Sequence, residues 1–246
     1  MISLDPSVHQ FAARTGSLNR DAAQDPFTDG ARFFPCDSTL CENGLLAGSL
    51  LANQNGWVPV EDIVPGDLVL TFDHGMQRVA ENNTVTLHRA DIPSHKAFTM
   101  FVPNGALGNR GDMNILPMQE IIVESDLAEM LFGDPFVLMP SFLLDGYKGI
   151  HTQSFSENLK LFVLLFEAEQ IVHTNGGMLA LAQMRACAPS VSQSVGSEHA
   201  VYPRLSYPEM VLIAEWRAHA PNAYPAFAAQ SIEETWAYLN TKLKLQ

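Results

Sequence analysis

Residues 44–75 read GLLAGSLLANQNGWVPVEDIVPGDLVLTFDHG, and this stretch predicts a compact unit of three short strands. The segments with strand composition are Ser49–Ala52, Trp57–Ile63 and Leu68–Phe72. Asn53–Gly56 joins the first two segments, because Asn and Gly tolerate the positive φ of a tight turn. Val64–Asp67 joins the last two, since its Pro fixes φ and its Gly supplies the reverse bend.

Strand patterns continue after this unit and dominate as far as residue 182. The further apolar or alternating segments are Thr84–Leu87, Ala97–Val102, Asn114–Val123, Phe136–Leu144 and Leu159–Val172. Asp126–Phe132 predicts one or two helical turns, stopped at Gly133. Asn175-Gly176 is typical of a two-residue hairpin turn, with Met178–Ala182 as the return strand. The fold class expected from this pattern is all-β, with many short strands.

The chain is expected to have three parts. Residues 1–40 mix Pro, Gly, Asp and Ser with little periodicity and form an N-terminal extension. Residues 41–186 form the β domain, and residues 187–246 form a linker and a helical C-terminal tail. In that tail, Ser206 can cap a helix that opens near Pro208, and Ser231–Glu234 has the pattern of a capping box. The tail is expected to pack on the β domain or on a partner.

The opening unit resembles the first block of the Hint family, which comprises hedgehog autoprocessing domains and inteins, and is most similar to its bacterial branch. The resemblance is carried by Gly48-Ser49 and by residues 60–70, VEDIVPGDLVL, which we term the signature block. The ordered block at this spacing is specific for the fold, whereas a Gly-Asp pair alone is not. The resemblance implies a horseshoe-shaped β fold with pseudo-twofold symmetry.

Hint catalysis, as the resemblance implies it, begins when a Cys or Ser attacks the carbonyl of the preceding residue. Such a shift of the acyl group needs a thiolate, or a hydroxyl with a base. The family places this nucleophile three or four residues before the Gly-Ser pair, which corresponds to Leu45 or Gly44 in this chain. Neither residue carries a nucleophile.

The second conserved block of the family has a Thr or Ser followed, three residues later, by a His, and these polarise the peptide and protonate the leaving amine. The aligned run is residues 116–123, LPMQEIIV, which we term the second block. Its hydroxyl position is Leu116 and its histidine position is Gln119. Leucine forms no hydrogen bonds, and glutamine does not titrate near neutral pH. Gln119 could still orient a carbonyl group.

His173 precedes the predicted hairpin turn, close to where family members carry a late histidine. The positions that correspond to those histidines are Val163 and Glu169. The order His173-Thr174-Asn175-Gly176 also departs from splicing chemistry, which needs Asn directly after His and a Cys, Ser or Thr after Asn. A hairpin explains this run better than a splice junction does.

The preferred functional hypothesis is a Hint-like domain that is inactive in self-cleavage and serves as a binding or structural module for an unidentified protein partner. The alternative is autoprocessing by an N-to-S acyl shift with Cys41 as the nucleophile. Cys41 lies three residues before Gly44 and could act only if the connection is longer than in the family. The candidate catalytic residues, all weak, are therefore Cys41, Gln119 and His173.

Composition excludes several other classes of function. The formal net charge is −13, which repels phosphate backbones and argues against nucleic-acid binding. No apolar run approaches the roughly 20 residues that span a bilayer, and no usual signal peptide opens the chain, so a cytoplasmic location or leaderless export is expected. The histidines and three cysteines show no zinc spacing, and we predict neither a metal site nor a cofactor.

Overall fold

The structure is a computed structural model that describes residues 43–184 and 205–219. The predicted extension at 1–40, Cys41, most of the linker and the capping box at Ser231 lie outside the described residues. In the described part, the strands are β1 Leu45–Leu46, β2 Leu50–Asn53, β3 Gly56–Pro59, β4 Leu68–Thr71, β5 Gly75–Arg78, β6 Glu81–Leu87, β7 Phe98–Val102, β8 Met113–Ile115, β9 Glu120–Glu124, β10 Phe136–Pro140, β11 His151–Ser154, β12 Leu159–Phe166, β13 Gln170–Thr174 and β14 Met178–Met184. The α-helices described are α1 Asp126–Phe132 and α2 Tyr207–His219, and the 3₁₀ turns are Val60–Asp62, Arg89–Asp91, Ser94–Lys96, Ser141–Leu144 and Tyr147–Gly149.

The strands form two sheets. The larger has eleven strands and runs in the order β1-β12-β14-β13-β2-β4-β5, with β3 beside β2, β6 beside β12, and β9 and β10 extending from β14. The smaller has the order β11-β7-β8. Pairing is antiparallel except between β12 and β14, which run parallel. The all-β prediction is confirmed.

The turns of the opening unit form as predicted. Asn53 pairs with Gly56 at the end of the β2–β3 hairpin. At the second turn Gly66 has a φ of +100°, and the Asp67 N–H donates to the Val64 carbonyl at 3.1 Å. This is the backbone that a Pro-Gly pair favours, because Gly adopts positive φ without a steric cost. The predicted strand at Trp57–Ile63 is shorter than expected, since it ends at Pro59 and continues as a 3₁₀ turn.

Three other predicted segments are wrong in their extent. Asn114–Val123 is two strands, β8 and β9, because Pro117 lies in a turn that the Gln119 N–H closes on the Leu116 carbonyl at 3.0 Å. Leu159–Val172 is likewise two strands, β12 and β13, and the apolar run that begins at Phe136 leaves the sheet after Pro140.

The β13–β14 hairpin has three residues between the paired Thr174 and Met178, not two. Asn175 and Gly176 take positive φ values of 46° and 102°. Gly177 follows and lies against the loop at Gly108, where an added Cβ would stand 2.6 Å from the Gly108 carbonyl oxygen. The close approach of Gly108 therefore requires a glycine at position 177, and no local pattern encodes this contact.

The helix α2 packs on the β domain and contributes to its core, as one of the two predicted arrangements of the tail requires. Glu209 accepts the Ser206 N–H at 2.7 Å, which is one half of a capping box. Leu212, Ile213 and Trp216 are buried in the main core cluster. Beside them, Arg217 donates to the Tyr147 hydroxyl at 2.8 Å, and its guanidinium lies 4.6 Å from the ring centroid. Within the described residues, no helix is long and apolar enough to cross a bilayer.

Candidate functional site

The polar side chains of the signature block bind backbone groups. The Glu61 carboxylate accepts the Gly48 N–H at 3.0 Å, and the Asp67 carboxylate accepts the Val64 N–H at 2.9 Å. Asn82 lies opposite on β6 and donates to the carbonyls of Val60 and Ile63 at 2.9 and 2.8 Å. The block therefore holds the turn after β1 in place.

The positions at which the resemblance places the nucleophile are occupied by backbone and core. Gly44 is buried and has no side chain, and Leu45 is 4% exposed within the main core cluster. Leu45 pairs with Phe162 on β12. Neither residue offers a thiol or a hydroxyl to a neighbouring carbonyl group.

Leu116, at the hydroxyl position of the second block, is fully buried in a small apolar cluster. The other buried members of this cluster are Leu87, Ile92, Ala97 and Leu161. The turn that contains Leu116 is braced from the 3₁₀ turn that begins at Ser141: the Ser141 hydroxyl donates to the Leu116 carbonyl at 2.7 Å, and the Ser141 N–H donates to the Gln119 carbonyl at 3.0 Å. The position thus has a packing role.

Gln119, at the histidine position, is 1% exposed and holds its neighbours together through one nitrogen. Its Nε2 donates to the Leu181 carbonyl at 3.1 Å, to the Glu120 carbonyl at 3.0 Å and to the Asn43 side-chain oxygen at 3.4 Å. Its Oε1 is buried and has no hydrogen-bond partner among the described residues. An amide in this setting can orient a carbonyl group, but it cannot exchange a proton as a histidine does.

Asn43 completes this arrangement and is a residue that sequence reasoning missed. Its side-chain oxygen accepts the Glu120 N–H at 2.8 Å in addition to the Gln119 amide. The only signal in the sequence is a polar residue next to Gly44. This contact brings the start of the described chain to the second block, 76 residues away from Gln119 in sequence.

His173 is half-buried on β13 and lies 6.2 Å from the Phe72 ring, measured between ring centroids. Burial lowers the pKa of His173, because a partly dehydrated imidazolium is disfavoured. Within 43–184 and 205–219 no hydrogen bond joins His173 to Gln119. Of the three candidate residues, Gln119 lies in the second block, His173 lies on β13 beside Phe72 without a hydrogen bond to Gln119, and Cys41 lies outside the described residues.

A family model described as "Hint domain" matches residues 43–179, which is more than half of the chain. Among solved structures, the chain is similar to a bacterial intein-like domain from Clostridium thermocellum, with 13% identity, a TM-score of 0.41, and 56% of this chain and 97% of that chain covered. It is also similar to the MchDnaB-1 intein, with 13% identity, a TM-score of 0.34, and coverage of 55% and 98%.

No curated protein matches this chain. The residues that the family model matches include the signature block, the second block and His173. On this ground the chain belongs to the Hint domain family.

Proposed function

We propose that this chain is a Hint domain that does not cleave itself and that acts as a binding or structural module. The observation that supports this proposal best is the use made of the second block. The hydroxyl position is filled by Leu116 inside an apolar cluster, and the histidine position by a Gln119 amide that bonds three carbonyl oxygens.

The absence of a nucleophile, a hydroxyl and a base from the family positions, and the packing role of Leu116, both favour a domain without self-cleavage. A single missing residue could be compensated, but an acyl shift without nucleophile, hydroxyl and base has no low-barrier route, because residues of a concerted site act as a unit. The signature block needs none of these groups, because its Glu61 and Asp67 carboxylates accept hydrogen bonds from backbone N–H groups.

The experiment is an intact-mass measurement on the full chain with a tag at each end. The protein is incubated with dithiothreitol, with hydroxylamine, or with neither, because dithiothreitol cleaves a thioester and hydroxylamine cleaves a thioester or an ester once it has formed. We expect one species of unchanged mass in all three samples. Fragments that depend on either reagent would refute the proposal.

A second function, autoprocessing at Cys41, is favoured by one contact. Asn43 binds Gln119 and Glu120, so the chain reaches the second block two residues after Cys41. Two residues of extended chain span at most about 7 Å. In this reaction the Cys41 sulfur attacks the Leu40 carbonyl, the peptide C–N bond breaks as the thioester forms, and the nitrogen of Cys41 takes up a proton.

This alternative predicts scission between Leu40 and Cys41, with an acyl transfer to the added thiol. Cys41→Ala should abolish the fragments, whereas Cys36→Ala, the matched thiol five residues upstream, should leave them unchanged. An uncleaved wild-type protein would exclude the alternative and agree with the first proposal.

A further inference from the structure

The larger sheet has a second apolar face, on the side opposite the main core cluster. Side chains alternate along its strands, so that Ile121, Val172 and Ala180 belong to the main core cluster while their neighbours in sequence form a separate one. We term this separate group the outer cluster: its buried members are Ile122, Leu138, Ile171 and Leu181, and its partly buried members are Phe72, Phe136 and Leu179. The sheet is therefore apolar on both faces along these strands.

The face that carries the outer cluster is concave and shielded from water. Phe136 on β10 and Phe72, directly after β4, lie at opposite ends of the strand series β10-β9-β14-β13-β4, yet their ring centroids are 5.3 Å apart. Leu138 and Leu181 between them are each 2% exposed. An apolar sheet face is usually buried by a second layer that packs on it. Among the described residues, neither helix and no strand of the smaller sheet contributes a member to the outer cluster.

Asn43 shows from which side the N-terminal segment reaches this sheet. The side chains of Glu120 and Ile122 lie on the same face, because they are two residues apart along β9. The Asn43 Nδ2 donates to the Glu120 carboxylate at 3.5 Å, and the Asn43 side-chain oxygen accepts the Glu120 N–H at 2.8 Å. Gln119, which also contacts Asn43, donates to the carbonyl of Leu181. The chain therefore enters the described domain at the edge of the outer cluster.

The residues before Asn43 have the composition and the length to cover the face. The apolar positions nearest to Asn43 are Leu40 and the run Phe33-Phe34-Pro35. Leu40 is three residues and Phe34 nine residues away, which allows reaches of at most about 10 and 30 Å. Five neighbouring strands measure roughly 19 Å across. Leu40 can therefore reach the near side of the outer cluster, and the two Phe rings can reach its aromatic side.

The C-terminal end of the described chain lies on the other side of the sheet. The buried apolar residues of α2 that join a cluster belong to the main core cluster. Beyond them, Arg217 donates to the carbonyl of Glu124, at the opposite end of β9 from Glu120. Of the two ends of the described chain, the N-terminal one thus contacts a side chain of the outer face, which makes the segment before Asn43 the better occupant.

We propose that residues 33–40 of this chain pack over the outer cluster as an intramolecular strap, with Phe33 and Phe34 against its aromatic side chains and Leu40 against Leu181. This inference goes beyond the proposed function and does not rest on it, because the face can be covered whether or not the chain cleaves itself. Its consequence is that the domain uses this apolar face for its own N-terminal segment and not for an external partner.

The first arm of the test places a photo-cross-linker on the outer face of the full chain. Leu179 is replaced by p-benzoyl-phenylalanine, and the irradiated protein is digested and mapped by mass spectrometry. His173, the Cα partner of Leu179 on β13, is a second position for the same replacement, so that one misfolded variant does not decide the result. We expect a cross-link within one chain to residues 33–40. The control carries the cross-linker at Thr84, which is exposed on β6 outside the outer cluster, and should give no cross-link to that segment.

The second arm asks whether the two Phe rings hold the segment in place. The double variant Phe33→Ala, Phe34→Ala should lower the Tm of the full chain by at least about 5 °C, because two aromatic side chains lose their burial. Phe27→Ala is the matched control, since it removes the same side chain outside residues 33–40, and it should change the Tm by no more than about 2 °C.

The proposal is overturned if the cross-links from the outer face go to residues 220–246, if they join two copies of the chain, or if neither position gives a cross-link to residues 33–40. Equal Tm values for the double variant and Phe27→Ala would overturn it as well. Self-cleavage is measured separately by intact mass, so a failure of this inference and a failure of the proposed function are distinguishable.

Discussion

The signature block and the second block are both family motifs, yet they use their polar residues differently. In the signature block, Glu61 and Asp67 bind backbone N–H groups and so define the path of the chain. In the second block, Leu116 is part of an apolar cluster and Gln119 joins three carbonyl groups. The signature block thus shapes the backbone, and the two positions to which the resemblance assigns chemistry make packing and hydrogen-bond contacts.

This difference teaches that a fold and its reaction place separate demands on a sequence. A turn requires particular φ values and hydrogen bonds to main-chain atoms, which Gly66 and Asp67 still provide. An acyl shift requires a nucleophile and groups that move protons. The comparison predicts that reverting the second block towards the family pattern costs stability.

Leu116→Thr should have the largest effect. The change restores a hydroxyl at the family position but buries it among Leu87, Ile92 and Leu161 and leaves unfilled volume. We expect the free energy of unfolding to fall by about 2–4 kcal/mol in urea denaturation. Leu116→Met, which conserves volume, should cost less than about 1.5 kcal/mol. Equal stability of Leu116→Thr and wild type would show that the position is not a packing site.

Gln119→Ala should have the next largest effect, since it removes the donor shared by Leu181, Glu120 and Asn43. Buried acceptors that lose their partner raise the cost of folding, and we expect a loss of about 1–3 kcal/mol by urea denaturation. Gln119→Glu keeps the length of the side chain but has no N–H, and it should be at least as destabilising when ionised. A Gln119→Ala variant with the stability of wild type would show that the hydrogen bonds of the Gln119 amide contribute nothing to the free energy of unfolding.

Glu61→Ala tests the signature block and should be milder. The Glu61 carboxylate is exposed and makes one hydrogen bond to the Gly48 N–H, which is worth about 0.5–1.5 kcal/mol. Asp62→Ala is a matched control, because this neighbouring carboxylate is also exposed and accepts no hydrogen bond in the described chain. Thermal denaturation should give a lower Tm for Glu61→Ala than for Asp62→Ala. Equal Tm values would show that the hydrogen bond from the Gly48 N–H to Glu61 does not stabilise the fold.

Asp145→Asn should give the smallest effect, and it depends on pH. Asp145 follows the 3₁₀ turn that braces the second block, and burial raises the pKa of its carboxyl above 3.8, although the Thr152 N–H and His151 oppose this shift. A raised pKa in the folded state means that ionisation costs stability as pH rises through it. The variant should therefore gain in Tm at pH 7 and lose that gain below pH 3.8. The same Tm difference at both pH values would contradict an effect of ionisation.

Local chemistry made the opening unit predictable from sequence, and long-range contacts limited the rest. Pro65 and Gly66 determine their own turn, and the αL residue Gly133 ends α1 as expected. The turn at Leu116 to Gln119, which contains Pro117, is braced by Ser141, and this contact joins residues 25 positions apart in sequence. The Asn43 contact spans 76 residues and leaves no periodic pattern, so the candidate site could be named at Gln119 but not completed.

The position of α2 has a practical consequence for anyone who wishes to use this domain as a building block. The family match ends at residue 179, but Leu212, Ile213 and Trp216 fill the hydrophobic interior from a point about thirty residues further along the chain. A polypeptide trimmed to the family boundary would expose that apolar surface to water and would be prone to aggregate. Fusions and truncations should therefore retain the sequence through His219.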